Sequence, residues 1–148
     1  MNKNHVLFCA AVAAAAAIAL PAQAQFAKAE DAVKYRQAAF TLMGNHMGRL
    51  AAMAKGERPF DQASAQTSAK LIESISHLPW EAFVPGSTSK GLKAEPWSDA
   101  ADFKERADRL KSETAKLPAA AASLETLRKQ VGATGAACKN CHDKYREI

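Results

Sequence analysis

The sequence predicts an all-α chain folded as an antiparallel, up-down four-helix bundle. Three observations carry that prediction. Four stretches place apolar residues at alternating steps of three and four, the period of one helix face in a bundle. No stretch alternates apolar with polar residues as a half-buried strand would. The breaks between the stretches hold proline, glycine and serine, so consecutive helices can reverse direction.

The chain starts with a segment that lies outside the bundle. Residues 1–24 read MNKNHVLFCAAVAAAAAIALPAQA, with Lys3 near the start, an uncharged apolar run from Val6 to Leu20, and Ala22-Gln23-Ala24 at the end. This is the three-part layout of a secretory signal cut before Gln25. The run is shorter than the roughly 20 residues that a membrane-spanning helix needs. The mature protein is therefore expected to be the single domain 25–148, in an oxidising compartment, most simply a bacterial periplasm. After signal cleavage no membrane association is expected.

In the first helix, about Ala29 to Leu50, the stripe is Val33, Arg36, Phe40, Met43, Met47 and Leu50. Gly56 and Pro59 end any helix that continues past Leu50, and Asp61 is placed to cap a second helix. Its stripe is Ala65, Ala69, Ile72 and Ile75, widened by Leu71 and Leu78. Pro79, Pro85 and Pro96, with Gly86, Gly91 and Ser87-Thr88-Ser89, mark residues 79–96 as loop. Ser98 is expected to cap a third helix with Phe103, Ala107, Leu110, Thr114 and Leu117 inward, and Pro118 ends that helix or begins the next. The fourth stripe is the most regular: Leu124, Leu127, Val131, Thr134, Cys138, Cys141 and Tyr145. Ala39, Gly132 and Gly135 leave little side-chain volume between the first and fourth helices, so something bulky can approach there.

The chain has 148 residues, 20 basic and 15 acidic side chains and a formal charge of +5. Charges of both signs are interspersed, which reads as a solvated surface and excludes a nucleic-acid patch. Of the three cysteines, Cys9 lies in the leader and the other two fall in one pentapeptide, too close together to staple the fold.

That pentapeptide, Cys138-Lys139-Asn140-Cys141-His142, has the C-x-x-C-H spacing of a c-type haem attachment site. Two thiols one helical turn apart form thioethers to the two vinyl groups of one porphyrin, and the adjacent histidine supplies the axial ligand to iron. Two other readings compete with this one. A thioredoxin-type redox pair needs a βαβ context, which this chain lacks. A structural zinc site needs four ligands, and His46 and His77 stand alone as surface or boundary residues.

With CKNCHDKYR at Cys138–Arg146, QFAKAEDAVKYRQ at Gln25–Gln37, LPWEAF at Leu78–Phe83 and PWSDAADF at Pro96–Phe103, the chain resembles cytochrome c′, the class II c-type cytochromes. The resemblance covers the whole mature chain. It implies one covalent haem c bound to Cys138 and Cys141, with His142 as the single axial ligand and iron five-coordinate. It also implies small gaseous ligands such as NO and CO, one-electron transfer with redox partner proteins, and often a homodimer through the first two helices. No enzymatic activity is expected.

By the same resemblance Arg36 and Gln37 contact the haem propionates, and a guanidinium suits a carboxylate partner. Phe40 takes the distal position over iron. Arg146, four residues after His142, stands by the proximal pocket, or alternatively serves the dipole at the helix end. Met43, one turn beyond Phe40, offers a thioether and thus the alternative of a six-coordinate His/Met electron carrier. A haem-free domain using the thiol pair is the remote alternative. Trp80, Phe83 and Trp97 pack on the bundle or on the porphyrin edge.

Overall fold

Asp61 and Ser123 each start a long helix with a side-chain cap. The Asp61 carboxylate accepts the Ser64 N–H at 2.7 Å, and the Ser123 hydroxyl accepts the Thr126 N–H at 3.2 Å, satisfying donors that a helix start leaves open. The computed structural model describes residues 25–147. The secretory leader read at 1–24 and the terminal Ile148 lie outside the described residues.

Four long helices make the bundle: α1 Ala29–Lys55, α2 Gln62–Ile75, α3 Ala100–Thr114 and α4 Leu124–Tyr145. There is no strand among the described residues, only an isolated bridge between Leu92 and Arg146. Glu30 and Asp31 suit the positive end of α1. Gly56 ends it in the left-handed region at φ 80°, donating its N–H to Ala52 and Met53 carbonyls. One expectation about α3 changes, and an alternative left open at its end is decided. Ser98 belongs to a one-turn helix, Glu95–Ser98, and Asp99 sits at the cap position instead, its carboxylate taken by Lys144 at 2.6 Å. Pro118 lies in the first turn of the next helix, the one-turn Leu117–Ala120, and Leu117 goes with it, since α3 ends at Thr114. The segment read as loop also contains a 3-10 turn, Pro79–Ala82.

Helix α1 packs on α2 and α4, and α3 packs on α4. Near the end of α1, the Ala54 carbonyl accepts from Arg128 near the start of α4 at 2.7 Å, so the two helices run antiparallel. Leu50, Met53, Ala65, Ala69, Ile72, Leu117, Ala121 and Leu127 form the buried aliphatic core at this end. Leu71 and Leu78 do not widen the α2 stripe. They are 40% and 41% exposed: α2 turns Ala65, Ser68, Ala69 and Ile72 inward and leaves Leu71 outward, and Leu78 lies in the turn beyond the helix.

Candidate functional site

Towards the other end, the same helices stand round a cavity of about 710 Å³, within the roughly 300–1,000 Å³ of ordinary ligand sites. Its α4 wall holds Thr134, Gly135, Cys138, Cys141, His142 and Tyr145, one continuous helix face. From α1 come Arg36, Gln37, Phe40, Met43 and Gly44. The structure therefore brings every sequence-predicted site residue to one cavity, Arg146 included. His46 and His77 are not on it: His46 Nδ1 lies 3.3 Å from the Ser68 hydroxyl, and His77 is exposed beside Glu73.

The room comes from small residues on facing helices. Gly44 and Gly135 both border the cavity, and a Cβ at either would meet no atom within 4 Å. Gly132, expected to help, is exposed and away from the cavity, and Ala39 is buried without lining it.

Phe40 is half-buried in a cluster of aromatic rings. Its ring meets Trp80 edge-on at 5.8 Å and Phe83 at 6.4 Å, and Phe83 lies 4.7 Å from Phe103, which touches Tyr145 at 5.1 Å. Such tilted and edge-on pairs suit the ring quadrupoles. Trp97 extends the cluster from Phe83, and its indole N–H points to the Phe83 and Val84 carbonyls at 3.1 and 3.2 Å. The three aromatics whose packing the sequence left open thus pack on one another; Trp80 and Phe83 also line the cavity.

Arg36 is 2% exposed. Its Nη1 donates to the Ala82 carbonyl at 2.9 Å and the Ser87 hydroxyl at 2.7 Å, and its Nη2 to the Ser87 carbonyl and to the Ser89 hydroxyl at 3.3 Å. Its guanidinium also lies 4.6 Å from the centre of the Phe83 ring. Burial lowers its pKa from the usual arginine value. No carboxylate pairs with it among the described residues, so a buried cation borders the cavity without a counter-ion. Buried charges are ordinarily paired. The Thr134 hydroxyl, also on the cavity wall, is buried with no hydrogen-bond partner.

Burial pushes the Cys141 thiol up to about 11 and raises that of Cys138 as well. A redox-active pair needs a lowered thiol pKa, so the thiol-pair alternative is poorly served here. The His142 pKa is lowered, first by burial and then by Arg146. No group of three or more His, Cys, Asp or Glu side chains among the described residues could hold a metal ion alone. Arg146 caps the end of α4: its N–H donates to the His142 carbonyl at 3.0 Å, while its own backbone is extended and bridges to Leu92. It thus sits one helical turn beyond His142, as its spacing implies, and borders the cavity.

The cytochrome C′ family model matches residues 31–146. The chain belongs to the cytochrome c′ family. It is 46% identical over 125 residues to cytochrome c′ of Alcaligenes xylosoxydans xylosoxydans, covering 83% of this chain and 98% of that one. The crystal structure of cytochrome c′ from Rubrivivax gelatinosus superposes with a TM-score of 0.80 at 46% identity, over 83% of this chain and 100% of that one. A nitric oxide complex of a variant of the Alcaligenes xylosoxidans protein superposes at 0.79 with 45% identity, over 84% and 100%. Cytochrome c′ carries one covalent c-type haem. The cavity fits that group: it has two thiols and an imidazole on one wall, aromatic rings around it, and on its border an unpaired cation of the kind that suits a carboxylate.

Sequence reasoning missed two features of this cytochrome c′ site. Ser87, buried at the tip of the loop, is the main anchor of Arg36. Asp102 on α3 gathers Arg106, Lys144 and Tyr145, which holds its carboxyl well below the usual carboxylate range. Only the i,i+4 spacing of Asp102 and Arg106 was visible as a local signal.

Proposed function

We propose that the chain is an exported haem c protein that binds small gaseous ligands, NO and CO, at a five-coordinate iron. The observation that carries this reading is the placement of Cys138, Cys141 and His142 on one wall of a cavity that Phe40 borders from α1. Bound covalently, a c-type haem supplies an iron that takes up diatomic gases and changes oxidation state by one electron. In this reading Cys138 and Cys141 carry the thioethers, and His142 is the axial ligand. Phe40 has no ligating atom and shields the open side. The Nη hydrogens of Arg36 are engaged by the loop, so it serves the propionates through Nε and its charge, with Gln37 beside it. Arg146 stands at the histidine side of the cavity.

The leader supports a cleaved signal at 1–24 and a periplasmic domain at 25–148. The reading is of a gas-binding protein that also passes single electrons to redox partner proteins, rather than of an enzyme. A homodimer through the first two helices is supported by Leu42 on α1 and Leu71 on α2, exposed at 50% and 40%, together with Leu78 just beyond α2. No helix among the described residues is long and apolar enough to cross a membrane.

Visible spectra of the periplasmic protein, oxidised and reduced, with and without NO, test the function. A high-spin reduced spectrum that changes on NO addition is expected. A low-spin reduced spectrum without added ligand would mean that Met43, buried on the same cavity, ligates iron. A colourless protein from cells competent in haem attachment would sink the reading altogether.

A further inference from the structure

The residue just before Cys141 is gripped from another helix. Arg106 on α3 donates through Nη1 to the Asn140 carbonyl at 3.0 Å and to Asn140 Oδ1. The guanidinium is itself held in a two-pronged pair with Asp102, Nε to Oδ2 at 2.6 Å and Nη2 to Oδ1 at 3.1 Å. Asp102 Oδ2 also accepts from the Tyr145 hydroxyl and from Lys144 Nζ at 3.0 Å. Lys144 Nζ is fixed a second time by Asp99 at 2.6 Å. Residues on both sides of His142 are thus tied to one carboxylate and guanidinium pair on α3.

A simple surface ion pair would contribute little and would hold no geometry. This one differs. The Arg106 and Asp102 side chains are 24% and 30% exposed, and a two-pronged pair fixes orientation as well as distance. Its target also matters. The last turn of a helix frays unless something restrains it, and Cys138 to His142 lie in the last two turns of α4, which ends at Tyr145. Groups that orient a metal ligand from the next layer out control how that ligand is presented.

We propose that Arg106, clamped by Asp102, is a positioning residue for the haem attachment turn: by holding Asn140 it sets the orientation of the Cys141 sulfur and the His142 ring in the cavity. The inference rests on the haem reading of the same site. Its test uses Arg106→Lys, which keeps the charge and loses the fork, Asn140→Ala, which removes one acceptor at an exposed position, and Arg106→Gln, which removes the charge.

In both Arg106→Lys and Asn140→Ala, the Cys141 and His142 amides should exchange about tenfold faster, as expected for loss of one hydrogen bond. The Leu127 amide should not change. In the haem-loaded proteins, wild type is expected to give one set of electron paramagnetic resonance lines and the two variants a mixture, with a shifted reduction potential. Wild-type exchange rates, spectra and potentials in both variants overturn the proposal. So does a change confined to Arg106→Gln, because the residue would then act through its charge alone. If Arg106→Lys fails to fold, Asn140→Ala decides by the same readings. Failure of the haem reading itself would show differently, as a colourless wild type.

Discussion

Around Leu50 and Leu127, helices α1, α2 and α4 close on one another with aliphatic side chains, whereas around Phe40 and Cys138 the bundle surrounds a cavity of about 710 Å³. One stripe on α4 serves both ends. At the closed end it presents Leu127 and Val131, which fill the space between helices. At the open end it presents Thr134, Cys138 and Cys141, which are smaller and leave room. The closed end is held by burial, which is non-directional and scales with apolar area. The open end is held by contacts with direction: Arg36 on the loop carbonyls, Arg106 on Asn140, and rings meeting edge to face. The difference teaches that an end built to hold a large planar group cannot rely on close aliphatic packing, so its walls are fixed individually.

The largest expected effect is at the open end. With Cys138→Ala and Cys141→Ala together, acid acetone should extract all of the haem, while the wild type retains it. The haem-free chain should keep slow amide exchange around Leu50 and Leu127 and lose it around Cys138, with helix content preserved and near-ultraviolet dichroism weak. A haem-free chain with a sharp, native-like thermal transition would remove the contrast between the two ends.

Next comes the closed end. Leu127 is fully buried in the aliphatic core, so Leu127→Ala should cost about 2–5 kcal/mol in urea unfolding of the haem-loaded protein. A loss well under about 1 kcal/mol would mean that this end does not anchor the bundle.

Phe40→Ala should act on ligand access more than on stability, since the ring already borders open space. Carbon monoxide should associate faster and bind roughly ten- to a hundredfold more tightly, each tenfold being about 1.4 kcal/mol. Association no faster than wild type would show that the ring does not gate the cavity.

The smallest effects are in pH dependence, and they belong to the open end. Arg106, Tyr145 and Lys144 hold Asp102 below the usual carboxylate range. Its depressed folded pKa contributes stability that is present above roughly pH 4 and is lost as the pH falls towards the folded value. Tyr145 is pushed up to about 12, first by burial and then by Asp102. Its raised pKa contributes stability that is present below roughly pH 10 and is lost as the pH rises from there to about 12. Urea midpoints measured across both limbs should lose the acid-side slope in Asp102→Asn and the alkaline-side slope in Tyr145→Phe. Unchanged slopes would show that the network does not bear on folding.

The fold was largely legible, and so was the gathering of the candidate site residues round one cavity. Asp61 caps α2 as its position after Pro59 implies, and the α4 stripe carries both thiols to the cavity wall. Leu71 and Leu78 misled because an apolar residue widens a stripe on paper whether or not a neighbouring helix covers it. Ser98 misled because it already belongs to the one-turn helix Glu95–Ser98, so the break before α3 falls one residue later, at Asp99.

What the sequence determined alone is whatever depends on short spacing: the helices, their inward faces, and a C-x-x-C-H turn able to hold one haem. Tertiary structure decided which distant groups meet. Arg36 reaches Ser87 across 51 residues, and Arg106 reaches Asn140 across 34. Periodicity records which side of a helix is buried but not what lies opposite. A long guanidinium takes its partners from the carbonyls and carboxylates that packing brings within reach, and these exist only once the helices have docked.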